Sequence, residues 1–159
     1  MKDSLQISGY DKLSLRRKHL EHVDAIRQWT KKKTVTKPRW PLPTKYFRNS
    51  ALDYLRFLIP KDQRILALGC GTGDTLASLE PAFGMGVDLD PYSLQLARTN
   101  HPSLHFIEGD IEDIGVLEKI AHSLPFDIIL LEGSLGYVDD IQAFLIQLQN
   151  VCSEETRVV

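Results

Sequence analysis

The segment ILALGCGTGD, residues 65–74, restricts the possible fold of this 159-residue chain more than any other feature. Four aliphatic residues run into Gly69, Gly71 and Gly73, which occupy alternate positions, and Asp74 follows. Glycine allows a tight turn and lets another group approach the backbone closely. A buried strand that ends in such a turn is typical of open parallel α/β sheets, which bind ligands at the carboxyl ends of their strands. We therefore expect a ligand site at this turn.

Strand-like and helix-like segments alternate after residue 60. The expected strands are RILALG, FGMGVDLD, LHFIEGD, FDIILLEG and TRVV, and helical segments lie between them. This alternation predicts βαβ units with right-handed crossovers, so that helices cover both faces of a parallel sheet. The expected fold class is α/β, a Rossmann-like doubly wound parallel sheet. Because TRVV stands at the end of the sequence, we expect a sheet that is truncated in or after its fifth strand.

Residues 1–60 are expected to form a basic helical extension, on the substrate side of a ligand-binding domain at 61–159. Two helices are predicted, SLRRKHLEHVDAIRQW and KYFRNSALDYLRFLIP, with a proline-rich loop over residues 30–45 between them. Residues 1–50 carry thirteen Lys or Arg against four Asp or Glu, whereas the remaining 109 residues carry six against seventeen. We favour a basic segment packed beside an acidic body over a nucleic-acid-binding arm, because no aromatic-interleaved pattern accompanies the charge.

The composition limits the other classes of protein. Cys70 and Cys152 are too few for a disulfide framework. No apolar run has the length needed to cross a bilayer, and the first residues lack a signal-peptide core, so we expect a cytoplasmic protein with no membrane partner. The five histidines show no metal-ligand spacing, so no metal is expected. His19 and His22 are predicted to lie on a solvated helix surface.

A dinucleotide is the first alternative for the ligand. The dinucleotide-binding pattern G-x-G-x-x-G, counted from Gly69, requires a small residue at position 74, where this sequence has Asp74. A carboxylate there brings negative charge close to a pyrophosphate, and it is itself a candidate N-cap for the following helix. The sequence also lacks the G-x-x-x-x-G-K-[ST] pattern of phosphate-binding loops. We therefore disfavour NAD and other diphosphate ligands.

Acidic residues at two further strand ends indicate a nucleoside without phosphate. Asp88 ends the second strand, nineteen residues after Gly69, where a carboxylate can accept hydrogen bonds from both ribose hydroxyls. Asp110 ends the third strand in EGDIED and can accept a hydrogen bond from an adenine amino group. A single strand-end Asp is more often a helix cap or turn residue, but three strand ends in register favour a binding site.

The motifs LGCGTGD, GVDLDP, GDIED and FDIILLEG occur in this order over residues 64–159. As a set they resemble the class I S-adenosylmethionine-dependent methyltransferases. The run from YFRNSALDYLRFLIP to the HP at residues 101–102 is similar to small-molecule methyltransferases often linked to glycosyltransferase systems. The resemblance implies S-adenosyl-L-methionine as the cofactor, a small-molecule acceptor, and methyl transfer by in-line displacement at the sulfonium centre.

The resemblance also implies roles for individual residues. The cofactor-contacting positions that it implies are Gly69, Cys70, Gly71, Gly73, Asp88, Leu89, Asp110, Ile111 and Glu132. The glycines are expected to pass under the methionine part, with Asp88 on the ribose and Asp110 at the adenine amine. Leu89 and Ile111 are expected to pack against the adenine ring.

Candidate catalytic residues follow the fourth strand, in EGSLGY. Glu132 is expected to face the methyl group and the substrate, and Glu132 and Tyr137 are the candidate general bases where the acceptor must lose a proton. Packing of Tyr137 on the domain is an equal alternative. Tyr46 and Phe47 are candidates for lining the acceptor pocket, and core packing of their helix is the favoured alternative.

Two departures from the family pattern leave a second reading of function open. Family members usually carry an acid two residues before the first glycine, which helps to hold the ammonium group of the cofactor, and here that residue is Ala67. The family's sheet has seven strands, whereas this sequence supplies five. The main expectation is methyl transfer to a sugar-, lipid- or quinone-like acceptor. The alternative is a non-catalytic or inactive truncated cofactor-binding fragment, with self-association possible through an exposed sheet edge.

Overall fold

Five parallel strands form one sheet in the order β3-β2-β1-β4-β5. The computed structural model describes residues 9–35, 41–123 and 125–159, except for the side chains of residues 9–13, 30–35, 41–45 and 47. The strands are β1 (Arg64–Leu68), β2 (Phe83–Asp88), β3 (His105–Glu108), β4 (Ile128–Leu130) and β5 (Arg157–Val158). All adjacent pairs are parallel. The chain order reverses at β1, which lies between β2 and β4, so the expected ligand site lies at this reversal.

Six α-helices accompany the sheet in the described part of the chain. They are α1 (Gly9–Val35), α2 (Pro41–Leu58), α3 (Asp74–Ser78), α4 (Pro91–Asn100), α5 (Ile114–Ala121) and α6 (Ile141–Leu148). Short 3-10 turns cover Leu135–Tyr137 and Gln149–Val151. None of the described helices combines the length and the apolar character that a membrane crossing requires.

Side chains of β1 alternate between two apolar cores, one on each face of the sheet. Leu66 and Leu68 belong to the core formed with α5 and α6. Ile65 and Ala67 belong to the core formed with α2 and α3. A strand buried on both faces has the continuous apolar sequence seen at residues 65–68. The predicted doubly wound sheet is therefore confirmed.

Acidic side chains cap three helices at the carboxyl edge of the sheet. Asp90 accepts hydrogen bonds from the backbone N–H groups of Tyr92 and Ser93, both at 3.2 Å, at the start of α4. Asp113 caps α5, and Asp140 caps α6 by accepting from the N–H of Ala143. These caps satisfy N–H groups that have no partner within the helix. They fix the direction in which each helix leaves the edge that carries the site.

Two local predictions were wrong. The loop expected over residues 30–45 is shorter, because α1 continues to Val35 and α2 begins at Pro41. Proline is tolerated in a first helical turn, where the missing N–H has no intrahelical partner. The expected break at residues 36–40, with Pro38, lies outside the described residues. Asp74 is the first residue of α3 and not its N-cap, a position that Gly73 occupies with φ 74° and no side-chain hydrogen bond.

The two-sided core gives a stability prediction for Leu66, which is fully buried in β1. We expect Leu66→Ala to lower the free energy of unfolding by about 2–5 kcal/mol, because the deletion leaves a cavity in a close-packed core. Urea denaturation followed by circular dichroism measures this change. Leu145→Ala on α6 is the matched control, since Leu145 is 42% exposed, and it should change the value by less than about 0.5 kcal/mol. Equal losses in both variants would contradict the assignment of the core.

Candidate functional site

A cavity of about 320 Å³ lies at the carboxyl ends of β1, β2 and β4. One wall comes from the loops of the α/β domain and the opposite wall comes from α1. The lining residues are His22, Val23, Ile26, Trp29, Gly69, Gly71, Asp88, Leu89, Asp90, Ser93, Asp110, Ile111, Glu112, Glu132, Gly133, Ser134 and Tyr137. The cavity is thus at the edge where ligands bind in sheets of this topology.

The glycine turn contributes to the cavity through bare backbone. Gly69, Gly71 and Gly73 have φ angles of 80°, 52° and 74°, a region that side chains disfavour. A Cβ at Gly69 would lie 2.7 Å from Cβ of Ser134, whereas one at Gly71 would meet nothing within 4 Å. Gly71 is therefore open to an approaching group. Gly69 must stay bare because the loop after β4 packs against it.

Asp88 joins the glycine turn to the end of β2. Its Oδ2 accepts a hydrogen bond from the Gly71 N–H at 2.7 Å, and its Oδ1 accepts from the Asp90 N–H at 2.9 Å. Burial raises the pKa of the Asp88 carboxyl above its usual value, although these backbone hydrogen bonds oppose the rise. Each carboxylate oxygen can accept a second hydrogen bond, so Asp88 keeps acceptor capacity at the cavity.

Asp110 is joined to α1 by a histidine. Its Oδ2 lies 2.8 Å from Nε2 of His19, and its Oδ1 accepts from the Glu112 N–H at 2.9 Å. The other ring nitrogen of His19, Nδ1, lies 2.7 Å from Oδ2 of Asp139. One turn further along α1, Nε2 of His22 lies 2.9 Å from the backbone carbonyl oxygen of Tyr137. His19 and His22, which were predicted on a helix surface, are therefore partly exposed and also contact the α/β domain.

The surroundings of His19 favour its charged form. Burial lowers the pKa of His19, but the hydrogen bonds to Asp139 and Asp110 and the nearby Glu112 carboxylate outweigh this effect, so the pKa is raised above 6.5. Among the described residues, one group of side chains has the proximity that a metal site requires, because its potential ligand atoms all lie within 4.8 Å of one another. This group is His19, Glu112 and Asp139. Because both ring nitrogens of His19 already face carboxylates, we interpret this group as an ion-paired histidine and assign it no metal.

Ser134 presents a buried hydroxyl without a partner at the cavity. It is 6% exposed, and its Oγ has no hydrogen-bond partner among the described residues. A buried polar atom without a partner carries a desolvation penalty of about 1–3 kcal/mol. A ligand that supplies a hydrogen bond would remove this penalty, so Ser134 marks a polar contact point beside Gly69.

Glu132 and Tyr137 lie on the same side of the cavity, in the loop after β4. Glu132 is exposed and lines both the main cavity and a second one of about 20 Å³, which is also lined by Ala67 and Thr75. The Tyr137 ring lies 5.6 Å from the Trp29 ring between centroids, at an interplanar angle of 44°. This contact joins the loop after β4 to α1.

The structure brings most of the predicted site residues together at one cavity. Those that line it are Gly69, Gly71, Asp88, Leu89, Asp110, Ile111, Glu132 and Tyr137. Cys70 and Gly73 adjoin it without belonging to its lining: the Cys70 thiol packs against Gly86, and Gly73 lies against the Phe106 ring. Tyr46 is 71% exposed and does not line the cavity, and the Phe47 side chain lies outside the described part of the chain.

Asp74 takes no part in the cavity wall that the structure describes. Its carboxylate lies 2.9 Å from Nε2 of His101, accepts a hydrogen bond from the Thr72 hydroxyl at 2.9 Å, and lies 3.9 Å from the Arg48 guanidinium. Burial raises the pKa of the Asp74 carboxyl, but the hydrogen bonds from His101 and Thr72 lower it by a larger amount. The pKa of Asp74 is therefore below its usual value. Because Asp74 lies outside the cavity lining, its position does not support the expected repulsion of a pyrophosphate there.

The sequence predicted a helical extension on the substrate side, but it did not identify the residues of α1 that form the wall. His22, Val23, Ile26 and Trp29 line the cavity from this helix. The three-residue spacing of Leu20, Val23 and Ile26 predicted an apolar helix face, but nothing in the spacing indicated which element that face covers. Leu20 itself is 56% exposed, so the buried face is narrower than predicted.

Comparisons with known proteins bear on the class of this site. The family model described as a methyltransferase domain matches residues 65–155, more than half of the chain. The chain is 34% identical over 93 residues to the malonyl-[acyl-carrier protein] O-methyltransferase of Halalkalibacterium halodurans, covering 54% of this chain and 34% of that protein. It is also 34% identical over 70 residues to the demethylmenaquinone methyltransferase of Chlorobaculum tepidum, covering 42% of this chain and 25% of that protein.

A solved structure is similar over a longer part of the chain. It is an S-adenosylmethionine-dependent methyltransferase of Thermotoga maritima, described as a possible histamine N-methyltransferase, with a TM-score of 0.63 and 20% identity. The similarity covers 86% of this chain and 59% of that one, and at this identity it shows the fold. The chain thus spans about a third and a quarter of the curated relatives that it matches.

The unpartnered hydroxyl of Ser134 gives a prediction with opposite signs for stability and binding. We expect Ser134→Ala to leave the free energy of unfolding unchanged or raised by about 1 kcal/mol, since the orphaned group is removed. The affinity for S-adenosylhomocysteine, the nucleoside probe implied by the family pattern, should fall about three- to tenfold. Urea denaturation and calorimetric titration measure the two quantities.

Ser93→Ala is the matched control, because the buried Ser93 hydroxyl already donates to Asp90 at 2.7 Å. This variant should be destabilised by about 1 kcal/mol. A destabilisation of Ser134→Ala equal to that of Ser93→Ala would show that the Ser134 hydroxyl is satisfied in the free protein.

Proposed function

Because the chain belongs to the class I S-adenosylmethionine-dependent methyltransferase family, we propose that this protein transfers a methyl group from S-adenosylmethionine to a small-molecule acceptor. The observation that carries the proposal is the cavity at the ends of β1, β2 and β4, which is lined by bare backbone at Gly71 and by two carboxylates, Asp88 and Asp110. Donors on a ribose and on an adenine ring match acceptors at these positions.

The described residues fit the cofactor on structural grounds. Asp88 is held by two backbone N–H groups and retains acceptor capacity, so it is the proposed partner of the ribose hydroxyls. Leu89 and Ile111 are the proposed apolar contacts of the adenine ring, since both line the cavity. Ser134, with its unpartnered hydroxyl, is a further proposed contact, beside the glycine turn.

The cofactor supplies an activated methyl group. The protein is therefore required to bind and orient the cofactor and the acceptor, and to exclude water. The turn at Gly69 and Gly71 and the carboxylate of Asp88 hold one side of the cavity in a fixed geometry. Val23, Ile26 and Trp29 of α1 present an apolar wall on the opposite side. We propose that residues 1–60 form the substrate side of the site and that 61–159 form the cofactor side.

Glu132 and Tyr137 are the proposed bases where the acceptor must lose a proton. Both line the cavity from the loop after β4, so a bound acceptor can reach either. The named activities of the two curated relatives, one on malonyl-[acyl-carrier protein] and one on demethylmenaquinone, support an acceptor outside the nucleic acids. The acceptors of these two relatives differ from each other. We therefore propose only that the acceptor of this protein is a small molecule or a small group attached to a carrier.

Replacing Asp88 tests the proposed function directly. We expect the wild-type chain to bind S-adenosylhomocysteine, and Asp88→Ala to bind it about ten- to a hundredfold more weakly, because a charged acceptor of hydrogen bonds is lost. Calorimetric titration measures the affinity, and release of S-adenosylhomocysteine from S-adenosylmethionine in the presence of quinol and carboxylic acid acceptors measures transfer.

Asp113→Ala is the matched control for Asp88→Ala. Asp113 also accepts a backbone hydrogen bond, from the Gly115 N–H at 2.8 Å, but it does not line the cavity. This variant should keep the wild-type affinity. A folded wild-type chain that does not bind the probe would contradict the proposed function.

Ala67 gives a second prediction, for a gain of affinity. Ala67 is buried in β1 and lines the small cavity beside Glu132, at the position where the family usually has an acid. We expect Ala67→Asp to bind S-adenosylhomocysteine about ten- to a hundredfold more tightly, through a charge-assisted hydrogen bond to the ammonium group. Ala67→Asn has nearly the same shape without the charge and should show no comparable gain in the same titration.

A further inference from the structure

Helix α1 covers the cavity, and few of its described side chains are buried. Between residues 14 and 29, the part of α1 whose side chains are described, Val23 is the one buried side chain. Trp29 is 45% exposed although it lines the cavity. Beside Val23 and the contact between the Trp29 and Tyr137 rings, polar contacts of α1 therefore contribute to the position of this wall.

Two histidines supply polar contacts between α1 and the α/β domain, and we call these contacts the histidine clasp. The clasp consists of His19 with Asp110 at 2.8 Å, His19 with Asp139 at 2.7 Å, and His22 with the Tyr137 carbonyl oxygen at 2.9 Å. His22 Nε2 also lies 3.4 Å from Oδ1 of Asp139. The clasp joins α1 to both loops that flank the cavity, the one after β3 and the one after β4.

The same two loops are tied to each other. The Glu112 carboxylate accepts hydrogen bonds from the Asp139 N–H at 3.1 Å and the Asp140 N–H at 3.4 Å. The backbone of Asp139 is therefore held by the Glu112 carboxylate, while its side chain reaches His19 of α1. The carboxylates that receive His19 are consequently preorganised by hydrogen bonds within the two loops.

We propose that α1 is a movable cover of the cofactor site and that His19 is the positioning residue that closes it, by bridging Asp110 and Asp139. This inference rests on the proposed function, because the ligand that gains from closure is the cofactor. In the closed position His22, Val23, Ile26 and Trp29 complete the cavity wall. A ligand that contacts both walls binds the closed form more tightly, so closure and binding favour each other.

Closure requires the protonated form of His19. Both ring nitrogens face carboxylate oxygens, and only the imidazolium form donates from both nitrogens. The groups that face His19 are Asp110 and Glu112 from the connection between β3 and α5, Asp139 from the connection between β4 and α6, and His22 from α1 itself. The net surroundings are acidic, in agreement with the raised pKa of His19.

The pH dependence of ligand binding follows from the raised pKa of His19. The clasp is complete below the ordinary pKa of histidine, about 6.5, and is lost as the pH rises through the raised pKa of His19. We expect the dissociation constant of S-adenosylhomocysteine to increase about three- to tenfold between pH 6 and pH 9 in the wild-type chain, a moderate change because His19 is partly exposed. Calorimetric titration across this range measures it.

Variants separate His19 from the other groups. His19→Gln stays neutral, so its affinity at pH 6 should be close to that of the wild-type chain at pH 9 and nearly independent of pH. Asp139→Asn should show a reduced pH dependence, although Asp139 does not line the cavity. His122→Gln is the matched control, because His122 is outside the cavity lining, and it should keep the wild-type profile. The titration of the His19 ring, followed by NMR, should give a pKa above 6.5 that falls in Asp139→Asn.

The outcomes distinguish this inference from the proposed function. Tight binding that is equal at pH 6 and pH 9 in the wild-type chain and in His19→Gln would overturn the role of His19 and leave the proposed function intact. Absence of binding at every pH by a folded wild-type chain would overturn both. Should His19→Gln fail to fold, as judged by circular dichroism, the wild-type profile and Asp139→Asn still decide the question.

Discussion

The hydrogen bond from the Gly71 N–H to the Asp88 carboxylate is the contact on which the rest of the site depends. It fixes the turn after β1 to the end of β2, and the Asp90 N–H holds the other oxygen of the same carboxylate. Two neighbouring strand ends are thereby locked together, with bare backbone at Gly71 facing the cavity. The caps at Asp90 and Asp140 then direct α4 and α6 away from this edge, which leaves it accessible. Burial of a carboxylate is unfavourable unless it is hydrogen-bonded, and both backbone donors here supply that compensation.

The same arrangement explains which parts of the site could be predicted from the sequence. Carboxyl ends of adjacent parallel strands meet at one edge, so residues that end strands, such as Asp88 and Asp110, come together without any information about side-chain packing. A local signal also marks the start of α4 (Pro91–Asn100), because proline is favoured in the first turn of a helix. The roles of Gly69 and Gly73 were harder to predict. Their need for a bare backbone comes at least partly from Ser134 and the Phe106 ring, which belong to distant parts of the chain.

The contribution of α1 could not be predicted because its contacts are remote in sequence and polar. His19 lies 91 and 120 positions from its partners Asp110 and Asp139, and no spacing pattern encodes such a pairing. The opposite charges of residues 1–50 and of the remaining chain did indicate that the two segments attract each other. Charge balance is not specific enough to choose a partner, however, and a histidine that is uncharged in a formal count does not contribute to it. The helix that completes the cavity was therefore predicted on the substrate side, but without the contacts that position it.

Asp110 gives the site a property that neither wall has alone. One of its oxygens faces His19 of the cover, and the carboxylate also lines the cavity at the position proposed for the adenine amine. A carboxylate has about four acceptor positions, so it can serve the histidine, the Glu112 N–H and a ligand together. Whatever orients this carboxylate for one partner also orients it for the others. Coupling of this kind is reciprocal, so a ligand that engages Asp110 stabilises α1 in the closed position by the same free energy with which the closed α1 strengthens its binding. The acid at the end of β3 is thus the proposed contact of the adenine amine and, through His19, the contact of the N-terminal helix.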